Sequence, residues 1–162
     1  MTIQQLYNIS VDSIVNKIQN SHGLNRFAHR RAKFEGWLKV ELIDSLVRAG
    51  FNALPEIGLI DVSFDSVAIE LKTINTNIRY ENVINTTRPI TKNTNGVVLD
   101  IESLRGKNYQ DKFVLFVVFP IIHNNKKWQV QLKRITSHLT AHRYRQFYFN
   151  NNIPAVIYLG KI

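Results

Sequence analysis

The chain has 162 residues, 44% hydrophobic and 10% aromatic, which suffices for one core and not for two ordinary domains, so a single domain over 1–162 is expected. Lys and Arg number 21 against 12 Asp and Glu, a formal +9 that points to a polyanionic partner such as nucleic acid, or else to an acidic protein. The absence of cysteine excludes a disulfide scaffold, a structural zinc ribbon and a thiol nucleophile; with no leader-like start and no apolar run near the roughly 20 residues that span a bilayer, the expectation is a soluble cytoplasmic protein without a membrane partner.

Val11, Ile14, Val15 and Ile18 recur at helical spacing after Ser10, a good N-cap, and predict a short helix over 11–19. A basic stretch, Arg26 to Lys33, follows. Phe34 to Ala49 is the strongest helical pattern, with Phe34, Trp37, Leu38, Leu42, Leu46 and Ala49 on a broad apolar face and Gly50 at the C-terminal cap. Residues 59–65 and 67–74 each alternate. Ile60, Val62 and Phe64 oppose Asp61, Ser63 and Asp65, and Val67, Ile69 and Leu71 oppose Ala68, Glu70 and Lys72, so the two predict a hairpin. Residues 75–94, rich in Asn, Thr and Arg, predict a long loop, and Asn95 caps a predicted helix through Val97, Val98, Ile101 and Leu104 to Gly106. Phe113 to Ile122 is continuously β-branched and aromatic, the pattern of a central strand buried on both faces. Trp128, Val130 and Leu132 alternate in a predicted strand over 128–135; residues 137–149 predict a helix and 155–159 a last strand. The fold class is α/β with a mixed central sheet flanked by helices.

The chemistry concentrates in the hairpin. Glu70 and Lys72, two residues apart on a strand, share a face, and Asp61 lies on the neighbouring strand. A carboxylate pair on adjacent strands is a hard oxygen site of the kind Mg²⁺ takes, completed by water and substrate phosphate. A lysine beside it orients water or offsets developing charge, so the set holds the parts a phosphodiester hydrolase needs. Taken alone, Glu-X-Lys on a strand reads more readily as a solvated face bearing opposite charges. The hairpin aspartate, the preceding helix with its glutamates and the basic second half weigh the other way.

Asp61 followed by Ile69-Glu70-Leu71-Lys72-Thr73, after a helix that starts Phe34-Glu35, resembles the PD-(D/E)XK nuclease superfamily, and Glu70-Leu71-Lys72-Thr73-Ile74-Asn75 is similar to the form taken by some type II restriction endonucleases. Ile60 stands where proline often precedes the aspartate. The resemblance implies a restriction-endonuclease-like fold and an Mg²⁺-dependent DNA endonuclease, with Mn²⁺ able to substitute, acting on double-stranded DNA as a homodimer whose two sites cut two strands. It implies Asp61 and Glu70 as metal ligands with the Leu71 carbonyl as a third oxygen, Lys72 as the water-positioning residue, and one helix glutamate, Glu35 or Glu41, near the metal, with Glu35 slightly favoured.

Residues 1–81 hold nine Lys/Arg and nine Asp/Glu, whereas 82–162 hold twelve and three, so the second half is expected to meet phosphate. The candidate DNA-contacting residues are Arg30 and Arg31 in the basic stretch, Arg79 and Arg88 in the long loop, Lys126 and Lys127 in the turn, and Arg143 and Arg145 in the last predicted helix. Tyr144, Phe147 and Tyr148 interleave with the last pair and suit base stacking or core packing. The rival reading is a non-catalytic basic nucleic-acid-binding module in which Glu70 and Lys72 form a structural pair.

Overall fold

Every residue from Phe113 to Phe119 is buried in strand β4 (Asp111–Phe119), which both layers of helices cover. The computed structural model describes residues 1–85 and 89–162. Three helices precede the sheet: α1 (Ile3–Gln19), α2 (His22–Arg30) and α3 (Glu35–Arg48). The sheet is built from β1 (Leu54–Ile57), β2 (Ile60–Phe64), β3 (Val67–Asn75), β4, β5 (Ala141–Tyr148) and β6 (Pro154–Lys161), with α4 (Ile90–Arg105) between β3 and β4 and α5 (Lys126–Thr136) between β4 and β5. The strand order is β1-β2-β3-β4-β6-β5; only β3 and β4 run parallel, joined by the α4 crossover. The sheet is therefore mixed, as the sequence pattern predicts.

The two faces bury different sets. Leu38, Leu42 and Leu46 of α3, with Leu6, Ile14 and Ile18 of α1, pack on Ile69, Leu71, Leu115 and Ile157. Val97 and Ile101 of α4, with Trp128, Leu132 and Ile135 of α5, pack on Ile74, Val114, Phe116 and Val156. Even-numbered residues of β3 therefore face α4, and that places Glu70 and Lys72. Among the described residues, no helix is long and apolar enough to cross a membrane.

Helix α3 and the β2–β3 hairpin lie where the pattern puts them. Helix α1 starts eight residues earlier than predicted, because Thr2 and Gln5 form a capping box; Ser10 is inside it, its Oγ donating to the Leu6 carbonyl at 2.7 Å. The basic stretch is largely helical, since Ser21 caps α2 by accepting from the Leu24 N–H. Helix α4 begins at Ile90, so the loop before it is shorter than predicted and Asn95 is an internal residue bonded to Arg134 at 2.7 Å. No strand is predicted at Leu54–Ile57, where β1 forms with all four residues exposed at the sheet edge.

Two elements exchange identity with the prediction. Residues 128–135 belong to helix α5: the Asn125 side chain caps it by accepting from the Lys127 and Trp128 N–H groups, and Trp128, Leu132 and Ile135 bury at helical spacing. Residues 141–148 form strand β5, paired with β6 alone, with Phe147 its one buried side chain. In α5, Leu132 is buried while Val130 is 62% exposed. Leu132→Ala should therefore lower stability by about 2–5 kcal/mol and Val130→Ala by less than about 0.5 kcal/mol in urea unfolding, whereas a strand would make both costly.

Candidate active site at the parting of two strands

Strands β2 and β3 pair from Phe64↔Val67 to Val62↔Ile69 and then part, while β3 stays paired with β4 as far as Asn75↔Phe119. At the same point β2 changes face: Val62 and Phe64 join the α1/α3 core, but Ile60 packs with Ala68 and Leu104, against the strict alternation of the sequence reading. Beyond Ile69 the free edge of β3 keeps backbone N–H groups that need acceptors. Two carboxylates supply them. Asp61 Oδ2 accepts from the Leu71 N–H at 2.9 Å, and Glu35 Oε1 accepts from the Thr73 N–H at 3.0 Å and from Thr73 Oγ1 at 3.4 Å. The Leu71 carbonyl lies on the same edge, because the N–H and C=O of a strand residue point to one side.

The parting thus brings Asp61, Glu70, Lys72 and Glu35 to one place. Burial, the Asp61 charge and a hydrogen bond to Asp61, with Asp100 adding to them and Lys72 opposing, push the Glu70 carboxyl up to about 8. Burial also acts to raise Asp61, but the Lys39 ammonium, the Leu71 N–H and Glu70 outweigh it and hold Asp61 below the usual carboxylate range. Lys72 Nζ stands 2.6 Å from Asp100 Oδ2 on α4, a charge contact without hydrogen-bond alignment. Burial alone would lower Lys72, yet Asp100, Glu35 and Asp61 raise it, so the ammonium stays charged.

Glu41 sits elsewhere: it and Asp44 bind Lys17, tying α3 to α1. Of the two helix glutamates, Glu35 alone reaches β3. The sequence reading missed two participants. Lys39 follows Glu35 by one helical turn and reaches Asp61 Oδ1 at 2.7 Å. Asp100 lies one turn beyond Gly96, which is itself close to Lys72 Cε. An acid beside Val97, Ile101 and Leu104 on an apolar stripe is a signal that was legible, because such a group needs a partner. Among the described residues, no group of three or more His, Asp or Glu is placed to hold a metal.

Basic residues surround the C-terminal end of β3. A cleft of about 730 Å³ is lined by Arg30, Lys33, Lys92 and Asn75, and a second of about 640 Å³ by Arg79, Lys126 and Lys127. At about 3.3 Å per residue, Lys72 is roughly 10 Å from Asn75 at the first cleft. Arg31 also borders that cleft, but its buried guanidinium donates to the carbonyls of Thr76, Ile78 (2.6 Å) and Ile84 (2.8 Å) and to Asn85 Oδ1, so it shapes the loop after β3 and has no fork left for phosphate. Arg88 lies outside the described residues. Arg143 and Arg145 stand on a strand where the pattern predicts a helix. They lie on the far edge strand β5, on the α1 face with Phe147; Arg145 is bound to Asp12 of α1, and both act on Tyr7. They do not join the site.

Because folding raises the Glu70 pKa, the folded state binds that proton more tightly than the unfolded chain, and stability is lost as pH rises from 4.5 to about 8. In metal-free buffer, Glu70→Gln should remove this decline: it outlasts wild type in urea at about pH 9, and the two curves close up near pH 4. Parallel curves across the range would show that Glu70 titrates as it does in solvent. The chain matches no family model, no curated protein and no solved structure.

Proposed function

We propose that this chain is an Mg²⁺-dependent DNA endonuclease with a restriction-endonuclease-like core. The observation that carries the reading is the convergence of Asp61, Glu70 and Lys72 where β2 leaves β3, beside a cleft lined by Arg30, Lys33 and Lys92. The donor set fits a hard divalent cation. Burial and the Asp61 charge both disfavour ionised Glu70, so an added cation would relieve the pair, and the Leu71 carbonyl is on the same edge. When bound there, Mg²⁺ would polarise a phosphodiester and acidify water.

The chain's own residues supply the rest. Lys72, charged and held by Asp100, orients water or offsets charge developing on phosphate. Glu35 fixes the β3 edge through Thr73 and sits close enough to act on Lys72. The cleft ammonium and guanidinium groups bind the phosphates that flank the scissile bond. Action as a homodimer, with one site per strand, belongs to this reading, as does Mn²⁺ in place of Mg²⁺.

The direct test is digestion of supercoiled plasmid with Mg²⁺ or with EDTA. Wild type should nick or linearise it only with the metal, and Asp61→Ala and Lys72→Ala should each slow the reaction at least about a hundredfold. If both variants cut as wild type does, the site assignment is wrong. DNA that is bound without a divalent ion and never cut would favour the non-catalytic module.

Affinity should follow the cleft. Lys33→Glu and Lys92→Glu should each weaken binding to a short duplex roughly tenfold and make its salt dependence shallower, while Arg143→Glu should change little. Fluorescence anisotropy at several salt concentrations reads both quantities.

A further inference from the structure

Among the described residues, Lys39 is the one cation in contact with Asp61, and it bridges two carboxylates. Its ammonium lies 2.7 Å from Asp61 Oδ1 and also contacts Glu56 Oε1 on β1. The Lys39 side chain is 16% exposed, whereas that of Glu56 is 71% exposed. The stem is thus confined by α3 and the sheet, and the second partner is a solvated group free to follow the ammonium. Asp61 Oδ2 is already committed to the Leu71 N–H, so Oδ1 is the oxygen that Lys39 covers. Any cation that uses Asp61 meets Lys39 there.

We propose that Lys39 is a built-in counter-ion that bridges Asp61 and Glu56 until a divalent cation takes Asp61 and leaves the ammonium on Glu56 alone, and so sets the cation concentration at which the site fills. The proposal rests on the divalent site proposed above. It needs no covalent bond made or broken: the ammonium keeps its three protons and gives up Asp61 while keeping Glu56. A lysine that merely supported the ligand would leave the site weaker when removed. A competing lysine leaves it stronger.

Mn²⁺ titrated into the DNA-free protein, with free Mn²⁺ read by electron paramagnetic resonance, separates these cases. Lys39→Met should tighten Mn²⁺ binding roughly tenfold, and Lys39→Gln should shift it the same way, with thermal melts confirming that both variants fold. Glu56→Gln removes the alternative partner, so it should weaken Mn²⁺ binding several-fold in wild type and leave it unchanged in the Lys39→Met background. Unchanged or weaker binding on loss of Lys39 overturns the proposal, as does a Glu56→Gln effect equal in both backgrounds. Mn²⁺ binding that survives Asp61→Asn undiminished overturns the divalent site and the proposal with it. Binding that shows the Lys39 and Glu56 pattern in a protein that cuts no plasmid supports the counter-ion and sinks the nuclease reading alone.

Discussion

The parting of β2 from β3 at Asp61 governs the rest of the candidate site. A strand that loses its neighbour leaves backbone donors without partners, and in a half-buried place those donors must be met by something other than water. Here Asp61 and Glu35 meet them at Leu71 and Thr73. The same hydrogen bonds that complete the sheet edge therefore import negative charge into it. Once Asp61 is fixed there, Glu70, one residue past the last paired position, shares its half-buried space, and burial together with the Asp61 charge raises its pKa. The lysines follow from the carboxylates: Lys39 balances Asp61, and Lys72 meets Asp100.

The charge of +9 acquires a layout from the fold. It is not a uniform coat. Arg30, Lys33 and Lys92 come from three separate elements to one cleft, and Arg79, Lys126 and Lys127 line another around the loop that leaves β3. Other cations are spent internally. Arg31 holds carbonyls of the loop after β3, Lys17 ties α1 to α3, and Lys161 pairs with Asp111 at 2.8 Å. Arg143 and Arg145, three strands away from β3 and on the opposite face from Glu70 and Lys72, show that sequence position within the basic half does not decide which side of the sheet a charge occupies.

The elements that were legible are those in which local and tertiary demands coincide. Helix α3 buries the apolar stripe its spacing predicts, and the β2–β3 hairpin has a two-residue turn between alternating runs. Residues 126–148 were misread because Trp128, Val130 and Leu132 satisfy alternation, while Trp128, Leu132 and Ile135 satisfy helical spacing equally well; the Asn125 cap and the need to cover Phe116 and Tyr158 select the helix. Strand β5 carries no apolar pattern of its own, since at a sheet edge its hydrogen bonds to β6 hold it in place.

The mixed α/β class, the central buried strand, the hairpin and the trio of Asp61, Glu70 and Lys72 are legible in the residue pattern alone, because each rests on contacts or periodicities within a few residues. It took the packed fold to show that Glu35 and not Glu41 reaches β3, that Lys39 covers Asp61, that Asp100 meets Lys72, and which basic residues line the clefts at the C-terminal end of β3. Those pairings join side chains distant in sequence. They depend on where helices cross the sheet and on where one strand leaves another, and neither is written in the spacing of any single segment.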